Sequence, residues 1–415
     1  MLSNEKTQEK VILVAAYTGE PEEAEASLDE LAELAETAGA ECVGRITQAR
    51  ESFHPGTYIG KGKIEELKIL IWETGADGII CDDELSPAQI RNLRDETEVK
   101  VMDRTLVILD IFAGRASSAE GKVQVELAQQ RYMLSHLAGF GTSLSRLGGG
   151  IGTRGPGEKK IEMDRRYIRE RISQLKKELA DIARHREVTR VARVKSHTKV
   201  AAIVGYTNAG KSTLLNTVTG AGVLEEDKLF ATLDPTTRSL VLESGQEILL
   251  TDTVGFIRKL PHHLIEAFKS TLEEAKYADY IIHVVDASNP AMDEHIKVVY
   301  DTLNKLGAGG KKIITIFNKM DLVTGDEVFR DFEADITLHT SIRNGEGIDE
   351  LKSALEDILR ADKILLEKVF AYDEAGQIQQ IRKYGELLEE EYVAEGIRVK
   401  AYVPEEIFRK VGGAR

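Results

Sequence analysis

VAAIVGYTNAGKST, residues 200–213, decides the fold of the central part of this chain. The apolar run Val200–Val204 is typical of a buried strand, and Leu214–Asn216 predicts the start of a helix. The nine residues between them, Gly205–Thr213, fit G-x-x-x-x-G-K-[ST], the phosphate-binding loop. Because strand, loop and helix stand in the order that this motif requires, a chance glycine-rich turn is the weaker interpretation.

This loop predicts a cradle for a nucleoside triphosphate. Glycines let the backbone approach a polyphosphate, successive N–H groups point at it, and the helix N-terminus adds partial positive charge. The Lys211 ammonium can reach the β- and γ-phosphates and assist hydrolysis, and the Ser212 hydroxyl can bind Mg²⁺. The predicted contacts are Gly205, Tyr206, Thr207, Asn208, Ala209, Gly210, Lys211 and Ser212.

Asn318-Lys319-Met320-Asp321 predicts that the base is guanine. The four residues fit N-K-x-D and follow Lys312–Phe317, a predicted strand. The Asp321 carboxylate can accept two hydrogen bonds from guanine, at N1–H and the exocyclic amine, and adenine does not offer that pair. Asn318 and the stem of Lys319 would hold the loop and cover the base, with Met320 between Lys319 and Asp321.

A third element lies between these two. Leu249–Gly255 predicts a strand that delivers Asp252 to the water shell of the metal, as the acidic residue of a Walker-B strand does. Gly255 offers a backbone N–H to the γ-phosphate, takes part in catalysis, and can pivot when that phosphate leaves. An ordinary turn or helix cap is the alternative. The predicted contacts are Asp252, Thr253, Val254 and Gly255.

Two further segments complete the order. Phe230–Thr237 stands where a first switch loop is expected, and a threonine there would complete the magnesium shell; Thr232 and Thr236 both qualify by position. Thr340–Gly347 follows a short predicted strand and would contact guanine through its backbone. The predicted nucleotide contacts are Phe230, Ala231, Thr232, Leu233 and Asp234 in the first segment and Ser341, Ile342 and Arg343 in the second.

Bulk composition places the chain among ordinary globular proteins. It has 415 residues, of which 42% are hydrophobic and 30% charged, and this length predicts roughly two to four domains. No apolar run reaches the ~18 residues of a membrane-spanning helix, and the N-terminus lacks the basic-then-apolar order of a signal peptide. Cys42 and Cys81 are the only cysteines, which disfavours a disulfide framework. We expect a monomer in the cytoplasm, with peripheral membrane association allowed for.

Strand and helix signals alternate over residues 1–111, which predicts a small α/β domain with a parallel sheet. Strands are predicted at Val11–Ala16, Glu41–Ile46, Gly78–Cys81 and Val99–Met102, and helices at Pro21–Ala38, Lys63–Glu73 and Ser86–Thr97.

Residues 112–196 predict an antiparallel helical hairpin. Apolar residues spaced by four and three, over Val123–Leu137 and again over Ile168–Ile182, indicate two short coiled-coil seams or two amphipathic helices packed on neighbours. The connection, residues 139–157, holds eight glycines. Loops of this length inside compact proteins are usually functional or disordered.

Local charge indicates a nucleic-acid contact at this connection. The whole chain has a formal net charge of −15, yet residues 144–196 carry 15 Lys and Arg against 7 Asp and Glu. A basic, glycine-rich loop suits insertion into folded RNA, where phosphate and shape contacts dominate; a flexible linker and a solvated helix face are the alternatives. The predicted RNA contacts are Arg146, Gly149, Arg154, Lys159 and Lys160.

Two domains follow the hairpin. Residues 197–361 form the predicted P-loop nucleotide-binding domain, and residues 362–415 predict a small α/β appendage. In the appendage the strand-like Ala371-Tyr372 and Ile397–Val403 flank a predicted helix at Gly376–Tyr392. The predicted fold class is therefore multidomain α/β.

These elements in this order resemble the HflX family of translation-factor-class P-loop GTPases, in the Obg–HflX group. The resemblance covers about residue 8 to residue 361. It implies a ribosome-associated GTPase that uses Mg²⁺, binds the large subunit and its rRNA, and splits stalled or idle ribosomes under stress. The segments that carry it are His54–Lys63, Asp103–Thr105, Leu109–Phe112, Glu126–Gln129, Gly148–Glu158, Phe230–Asp234 and Asp252–Phe256.

The family pattern also assigns individual residues. It makes Ser212 and Thr232 the magnesium ligands, and it has Ser-Ala where this chain has Ser341-Ile342. Ras-like proteins orient the attacking water with a glutamine after the D-x-x-G glycine. Phe256 occupies that position and cannot hydrogen-bond water, so we expect low intrinsic turnover until the ribosome or a potassium ion orders the switches.

Asn208 is the residue that would bind potassium. It matches the asparagine with which several glutamine-lacking GTPases hold K⁺ beside the phosphates, where the ion assists catalysis. Tolerance of a left-handed turn is the simpler role for this residue.

Two other interpretations stay open. A GTP-driven protein that binds RNA or assists its modification, without being dedicated to the ribosome, would need a cofactor site or a catalytic cysteine, whereas Cys42 and Cys81 stand in strand-like contexts. Gly60-Lys61-Gly62-Lys63 before a helix could bind an anion. This segment lacks a full phosphate-binding loop, so helix capping or RNA contact is the preferred interpretation.

Overall fold

The computed structural model describes residues 8–137, 156–196, 198–220, 229–261, 264, 269–325 and 328–411. The chain forms two compact units, each assembled from several segments. The first unit comprises Met1–Arg186, Glu226–Asp234 and Gly255–Thr271, and the second comprises Glu187–Glu225, Pro235–Val254 and Leu272–Arg415. The four-domain division predicted from the sequence stays a prediction.

The first unit begins with a four-stranded sheet in the order β2-β1-β3-β4, and its neighbouring strands are parallel. The sheet and its helices are β1 (Glu9–Tyr17), α1 (Pro21–Thr37), β2 (Ala40–Ala49), α2 (Lys61–Thr74), β3 (Gly78–Cys81), α3 (Pro87–Thr97) and β4 (Lys100–Asp103). Because both faces of a parallel sheet are covered, its central strands are continuous apolar runs. The predicted α/β domain is confirmed, with Ser86 serving as the N-cap of α3 instead of its first helical residue.

Three further helices of the first unit have described bounds: α4 (Arg104–Arg115), α5 (Ala119–His136) and α6 (Pro156–Ser196), the last of which continues into the second unit. Glu126 pairs with Arg171 at 2.5 Å, and Glu120 pairs with Arg186 at 2.9 Å. Since the partners run in opposite sequence order, α5 and α6 are antiparallel, which confirms the predicted hairpin. Of the predicted seam residues Val123, Leu127, Gln130, Leu134 and Leu137, only Leu127 is buried. The other buried residues of α5 include Gln124, Val125, Ala128 and Tyr132, so the helix buries a different face from the predicted coiled-coil seam.

Most of the predicted RNA contacts fall outside the residues that the structure describes. Arg146, Gly149 and Arg154 fall outside the described residues. Lys159 and Lys160 stand in the first turns of α6, where only the backbone is described.

A six-stranded sheet in the order β10-β9-β8-β5-β7-β6 forms the first part of the second unit. Its strands are parallel except that β6 pairs antiparallel with β7. The elements are β5 (Lys199–Gly205), α7 (Lys211–Thr219), β6 (Thr236–Val241), β7 (Glu247–Asp252), α8 (Lys269–Tyr277), β8 (Tyr280–Asp286), α9 (Met292–Leu306), β9 (Lys312–Asn318), β10 (Ile336–His339) and α10 (Ile348–Ala361). The apolar core under α7 and α10 fixes the carboxyl ends of β5, β7, β8 and β9, where the predicted nucleotide residues stand.

The C-terminal module, residues 364–411, is an antiparallel sheet in the order β11-β13-β12 packed with two helices. It contains β11 (Ile364–Phe370), α11 (Ala375–Tyr384), β12 (Glu386–Val393), β13 (Gly396–Val403) and α12 (Glu405–Val411). The predicted α/β class is confirmed.

Two predictions inside this module were wrong. Tyr372 starts a single 3-10 turn, and the strand lies earlier, at β11. The predicted helix over Gly376–Tyr392 ends at Tyr384, and β12 follows Gly385. The Glu-rich run has high helix propensity, but pairing with β13 overrides it, because β-structure depends on tertiary context more than on local preference. Across the described residues, no helix is both long and apolar enough to cross a membrane.

Candidate nucleotide site

The loop between β5 and α7 requires glycine at two positions. Gly205 has φ 153°, and a Cβ there would lie 2.2 Å from the carbonyl oxygen of Val284 on β8. Gly210 has φ 101°, and its Cβ would lie 2.4 Å from Nδ2 of Asn318. Asn208 also adopts the left-handed region, with φ 60°. The motif glycines are thus fixed by backbone conformation and by close approach of neighbouring strands.

Lys211 is held inside this loop. Its side chain is buried, and Nζ donates a hydrogen bond to the Tyr206 carbonyl oxygen at 2.7 Å. Burial lowers the pKa of Lys211 to about 8, against an opposing effect of the Asp252 carboxylate. A polyphosphate offers this ammonium charged acceptors, which bind it more strongly than a neutral carbonyl does.

Ser212 and Asp252 meet where the sequence predicts the metal. The Ser212 hydroxyl donates to Oδ2 of Asp252 at 2.7 Å, and Asp252 is fully buried at the end of β7. Thr253 is fixed next to it by a 2.8 Å hydrogen bond to the Ile203 carbonyl oxygen. Hydroxyl and carboxylate oxygens are the hard donors that Mg²⁺ prefers, so these residues fit the ion that P-loop sites normally use.

Asn318 braces the phosphate loop against the base-side segment. Nδ2 donates to the Ala209 carbonyl oxygen at 2.9 Å, and Oδ1 accepts from the Ile342 amide at 3.1 Å. Thr340 adds a longer hydrogen bond to the same oxygen, at 3.3 Å. Asn318 therefore joins three predicted elements, which is the holding role expected of it.

Asp321 lies at an exposed position that can receive a base. Its Oδ1 accepts a hydrogen bond from the buried Ser341 hydroxyl at 2.7 Å, which fixes the orientation of the carboxylate. Lys319 has φ 63°, and its ammonium pairs with Asp286 at 2.7 Å. Ser341 thus positions the carboxylate that is predicted to contact guanine, and the Ile342 amide is engaged by Asn318.

The sequence motifs missed two residues that contact the candidate nucleotide site. The ring of His295 on α9 stacks on Tyr206 with 3.6 Å between centroids and 7° between planes. Asp286, at the end of β8, holds Lys319. No spacing rule connects these positions, although an aromatic residue inside the phosphate loop was a visible signal.

The predicted switch residues 230–234 and Gly255 belong to the first unit, and their contacts with nucleotide stay predictions. Asp234 accepts hydrogen bonds there from the Ser118 amide at 2.7 Å and from the Ser117 hydroxyl at 2.7 Å, at the start of α5. Phe230 is buried edge-on against Phe112, with 4.7 Å between ring centroids. Family signatures that are distant in sequence therefore meet inside one unit.

Comparisons with known proteins match this arrangement. Family models match three consecutive parts of the chain: GTP-binding GTPase N-terminal at residues 25–113, GTP-binding GTPase Middle Region at 115–193, and 50S ribosome-binding GTPase at 200–319. A GTPase HflX of Lacrimispora saccharolytica is 64% identical over 98% of this chain and 96% of its own length. That of Caldanaerobacter subterraneus subsp. tengcongensis is 52% identical over 97% and 92%, and that of Escherichia coli K12 is 42% identical over 85% and 84%.

Proposed function

The chain belongs to the GTPase HflX family, which hydrolyses GTP, and from that premise we propose that it docks on the large ribosomal subunit and splits or rescues stalled or idle ribosomes under stress. The observation that carries this proposal is the cationic surface of α6. The match of residues 200–319 to a family described as 50S ribosome-binding GTPases supports it. The protein would act as a monomer in the cytoplasm.

The α6 surface is suited to phosphate contact. Arg169 and Lys176, seven residues apart, lie on the same side of this helix with Lys177 next to them, and all three are exposed, while Ile168 and Leu175 are buried on an adjacent side. Cations on one face of a helix form the electrostatic footprint of a nucleic-acid partner. The predicted tip contacts Arg146, Gly149, Arg154, Lys159 and Lys160 would extend the same surface towards rRNA.

Some residues of the site would bind the phosphates and the metal ion, and others would respond to the presence of the γ-phosphate. Lys211 and the loop amides would bind the phosphates, and Ser212 with Thr232 would hold Mg²⁺, which supplies charge neutralisation during phosphoryl transfer. Gly255 would offer its amide to the γ-phosphate. Phe256 is buried and apolar, so it cannot orient water and the isolated protein would turn over slowly.

Asn208 is the candidate potassium contact. Its left-handed backbone leaves the side chain exposed at the mouth of the phosphate loop. Exchange of potassium for sodium at fixed ionic strength would lower the GTPase rate of the native chain. It would leave an Asn208→Ala chain at one low rate in both salts. Equal rates of the native chain in the two salts would contradict this part of the proposal.

Cosedimentation with purified ribosomal subunits tests the docking. We expect the non-hydrolysable GTP analogue to support binding to the large subunit and GDP to weaken it, because the γ-phosphate orders the switches. Replacing Arg169, Lys176 and Lys177 by glutamate would weaken binding and reduce the salt slope by up to about 3, or about one per lost phosphate contact.

The matched control replaces exposed cations of the C-terminal module, Arg398 and Arg409, by glutamate. This control would bind as the native chain does. Binding that ignores the nucleotide, or no binding, would contradict ribosome docking. Nucleotide-dependent binding to free structured RNA, with none to the subunit, would favour a GTP-driven RNA-binding or modification-assisting role.

A further inference from the structure

The β6–β7 hairpin connects the metal end of the nucleotide site to a distant turn. Its register runs from Thr236 opposite Asp252 to Val241 opposite Glu247. Six paired residues span roughly 20 Å in an extended strand. The turn that closes the hairpin, Leu242–Gln246, therefore lies at the end remote from Asp252. A constraint on this turn can act on Asp252 through the ladder.

Gln246 ties that turn to the C-terminal module. Its side chain is buried, and Nε2 donates a hydrogen bond to Oε2 of Glu386 at 3.0 Å. Its Oε1 accepts a hydrogen bond from the Lys363 ammonium. The backbone of the turn is also held, because the Ser244 amide donates to Oε1 of Glu356 on α10 at 2.8 Å. Both ends of the Gln246 amide are thus engaged with residues beyond the hairpin.

Glu386 is the centre of this cluster. It is the first residue of β12, its side chain is buried, and Arg360 donates to its Oε1 at 2.6 Å. Burial lowers the pKa of Lys363 to about 8, while Glu386 opposes that shift, so the ammonium is charged near pH 7. We call Gln246, Arg360, Lys363 and Glu386 the hairpin cluster.

The hairpin cluster lies at a polar junction. The C-terminal module has its own apolar core, which includes Phe370 and Val399, and the nucleotide-binding sheet has another, which includes Leu240 and Ile248. A cavity of about 950 Å³ borders Gln246 and Lys363. Apolar surfaces can slide against each other, whereas a buried hydrogen-bonded network specifies one arrangement. The polar junction therefore fixes the position of the hairpin turn relative to the C-terminal module more than it buries additional apolar surface.

We propose that Gln246 and Glu386 are positioning residues through which the C-terminal module fixes the β6–β7 hairpin and favours the GTP-bound arrangement of the nucleotide site. The proposal rests on the GTP site and is independent of ribosome docking. GTP depends on the segments that flank the hairpin more than GDP does, because the γ-phosphate orders them. Loosening the turn therefore reduces GTP affinity more than GDP affinity. By reciprocity, nucleotide exchange alters the hairpin cluster.

The test uses the full chain and a charge swap. In Gln246→Glu the new carboxylate meets Glu386 and the hydrogen bond between the two side chains is lost. The double variant Gln246→Glu with Glu386→Gln restores one donor and one acceptor with the original charge. We expect GTP affinity to fall about tenfold in Gln246→Glu, within the usual range of coupling between sites. GDP affinity would change less than about twofold, and the double variant would recover most of the loss.

Arg238→Gln is the control, because Arg238 is exposed on the same hairpin. It would leave the ratio of GTP to GDP affinity unchanged. Hydrogen exchange of the native chain would differ at β12 between GDP and a non-hydrolysable GTP analogue, and the difference would disappear in Gln246→Glu. A purely structural role would lower the melting temperature without moving the affinity ratio. An unchanged ratio in a folded Gln246→Glu chain, or no recovery in the double variant, would overturn the proposal.

Discussion

Two helices of this protein begin with glycine followed by lysine, and they differ in what precedes them. At α2, Gly60 is extended, with φ −78°, and its amide donates to Oε1 of Gln48 at 2.8 Å. Lys61 points to solvent. At α7, Gly210 is left-handed with φ 101°, and Lys211 is buried within the loop. A glycine–lysine helix start becomes a phosphate cradle when the loop before it curls its amides inward.

Gly60 stands at the N-cap position of α2, which agrees with helix capping, one of the two interpretations preferred for Gly60-Lys61-Gly62-Lys63, and RNA contact stays a prediction. A Cβ at Gly60 would lie 2.8 Å from Nη1 of Arg50, so side chains fill the space in front of the helix. Lys63 pairs with Glu66 one turn along, at 2.6 Å. The same two residue types thus begin a solvent-facing helix in one unit and line the candidate nucleotide site in the other.

Removing the two lysines gives the largest expected contrast. Lys211→Ala would reduce GTP affinity and turnover by roughly 100-fold or more, because charged hydrogen bonds to phosphate are worth about 1.5–3 kcal/mol each. Lys61→Ala would leave both quantities unchanged. Fluorescent GTP binding and phosphate release measure the two effects. A comparable loss in both variants would show that the N-terminal helix start also serves nucleotide.

Asp321, the predicted base contact, sharpens the contrast further, because no N-K-x-D segment follows α2 in the described part of the first unit. Asp321→Asn would weaken GTP binding by roughly 10- to 100-fold, since a carboxylate accepting two hydrogen bonds becomes an amide. Xanthosine triphosphate would bind this variant better than GTP. Competition binding measures the preference, with the exposed Asp373→Asn as control. A variant that still prefers GTP would contradict guanine reading by Asp321.

Glycine substitutions compare the two helix starts through stability. Gly210→Ala would destabilise the fold by about 1–3 kcal/mol, because the left-handed backbone is strained with any side chain and its Cβ would meet Asn318. Gly62→Ala, in the first turn of α2 with open space around the Cβ, would be neutral or stabilising by up to about 1 kcal/mol. Urea unfolding followed by the single tryptophan, together with circular dichroism, measures both. Equal changes in the free energy of unfolding for the two variants would contradict the difference between the two helix starts.

Sequence reasoning located what depends on short-range patterns. The apolar run at β1 and the loop at Gly205–Thr213 carry their structure locally, so the α/β units and the strand–loop–helix arrangement around this loop were predictable. Gln246 and Glu386 are 140 residues apart, and no motif links them. The same limit explains the error at β12, where β13 supplies the pairing partner that outweighs helix propensity. Long-range pairing decided both of these features.

The smallest expected contrast between the two sheets concerns the protonation of a buried histidine. β8 carries His283, whereas β1–β4 contain no histidine. Burial lowers the pKa of His283 to about 4, with Asp331 opposing and the Lys211 charge adding to the shift, and Tyr300 packs edge-on against the ring. The unfolded chain binds this proton near pH 6.5 and the folded chain only near 4, so stability falls as pH drops through that window.

Between pH 7 and 5.5 the loss assigned to this one group is about 1 kcal/mol. His283→Asn would remove that component of the slope, although the variant can differ in stability at neutral pH. Urea unfolding at a series of pH values gives the slopes, and comparing slopes cancels the constant difference between the two proteins. No strand of the N-terminal sheet carries a histidine. The loss of stability at low pH that His283 causes would therefore arise in the nucleotide-binding sheet. Parallel slopes for the native and variant chains would contradict a buried neutral histidine.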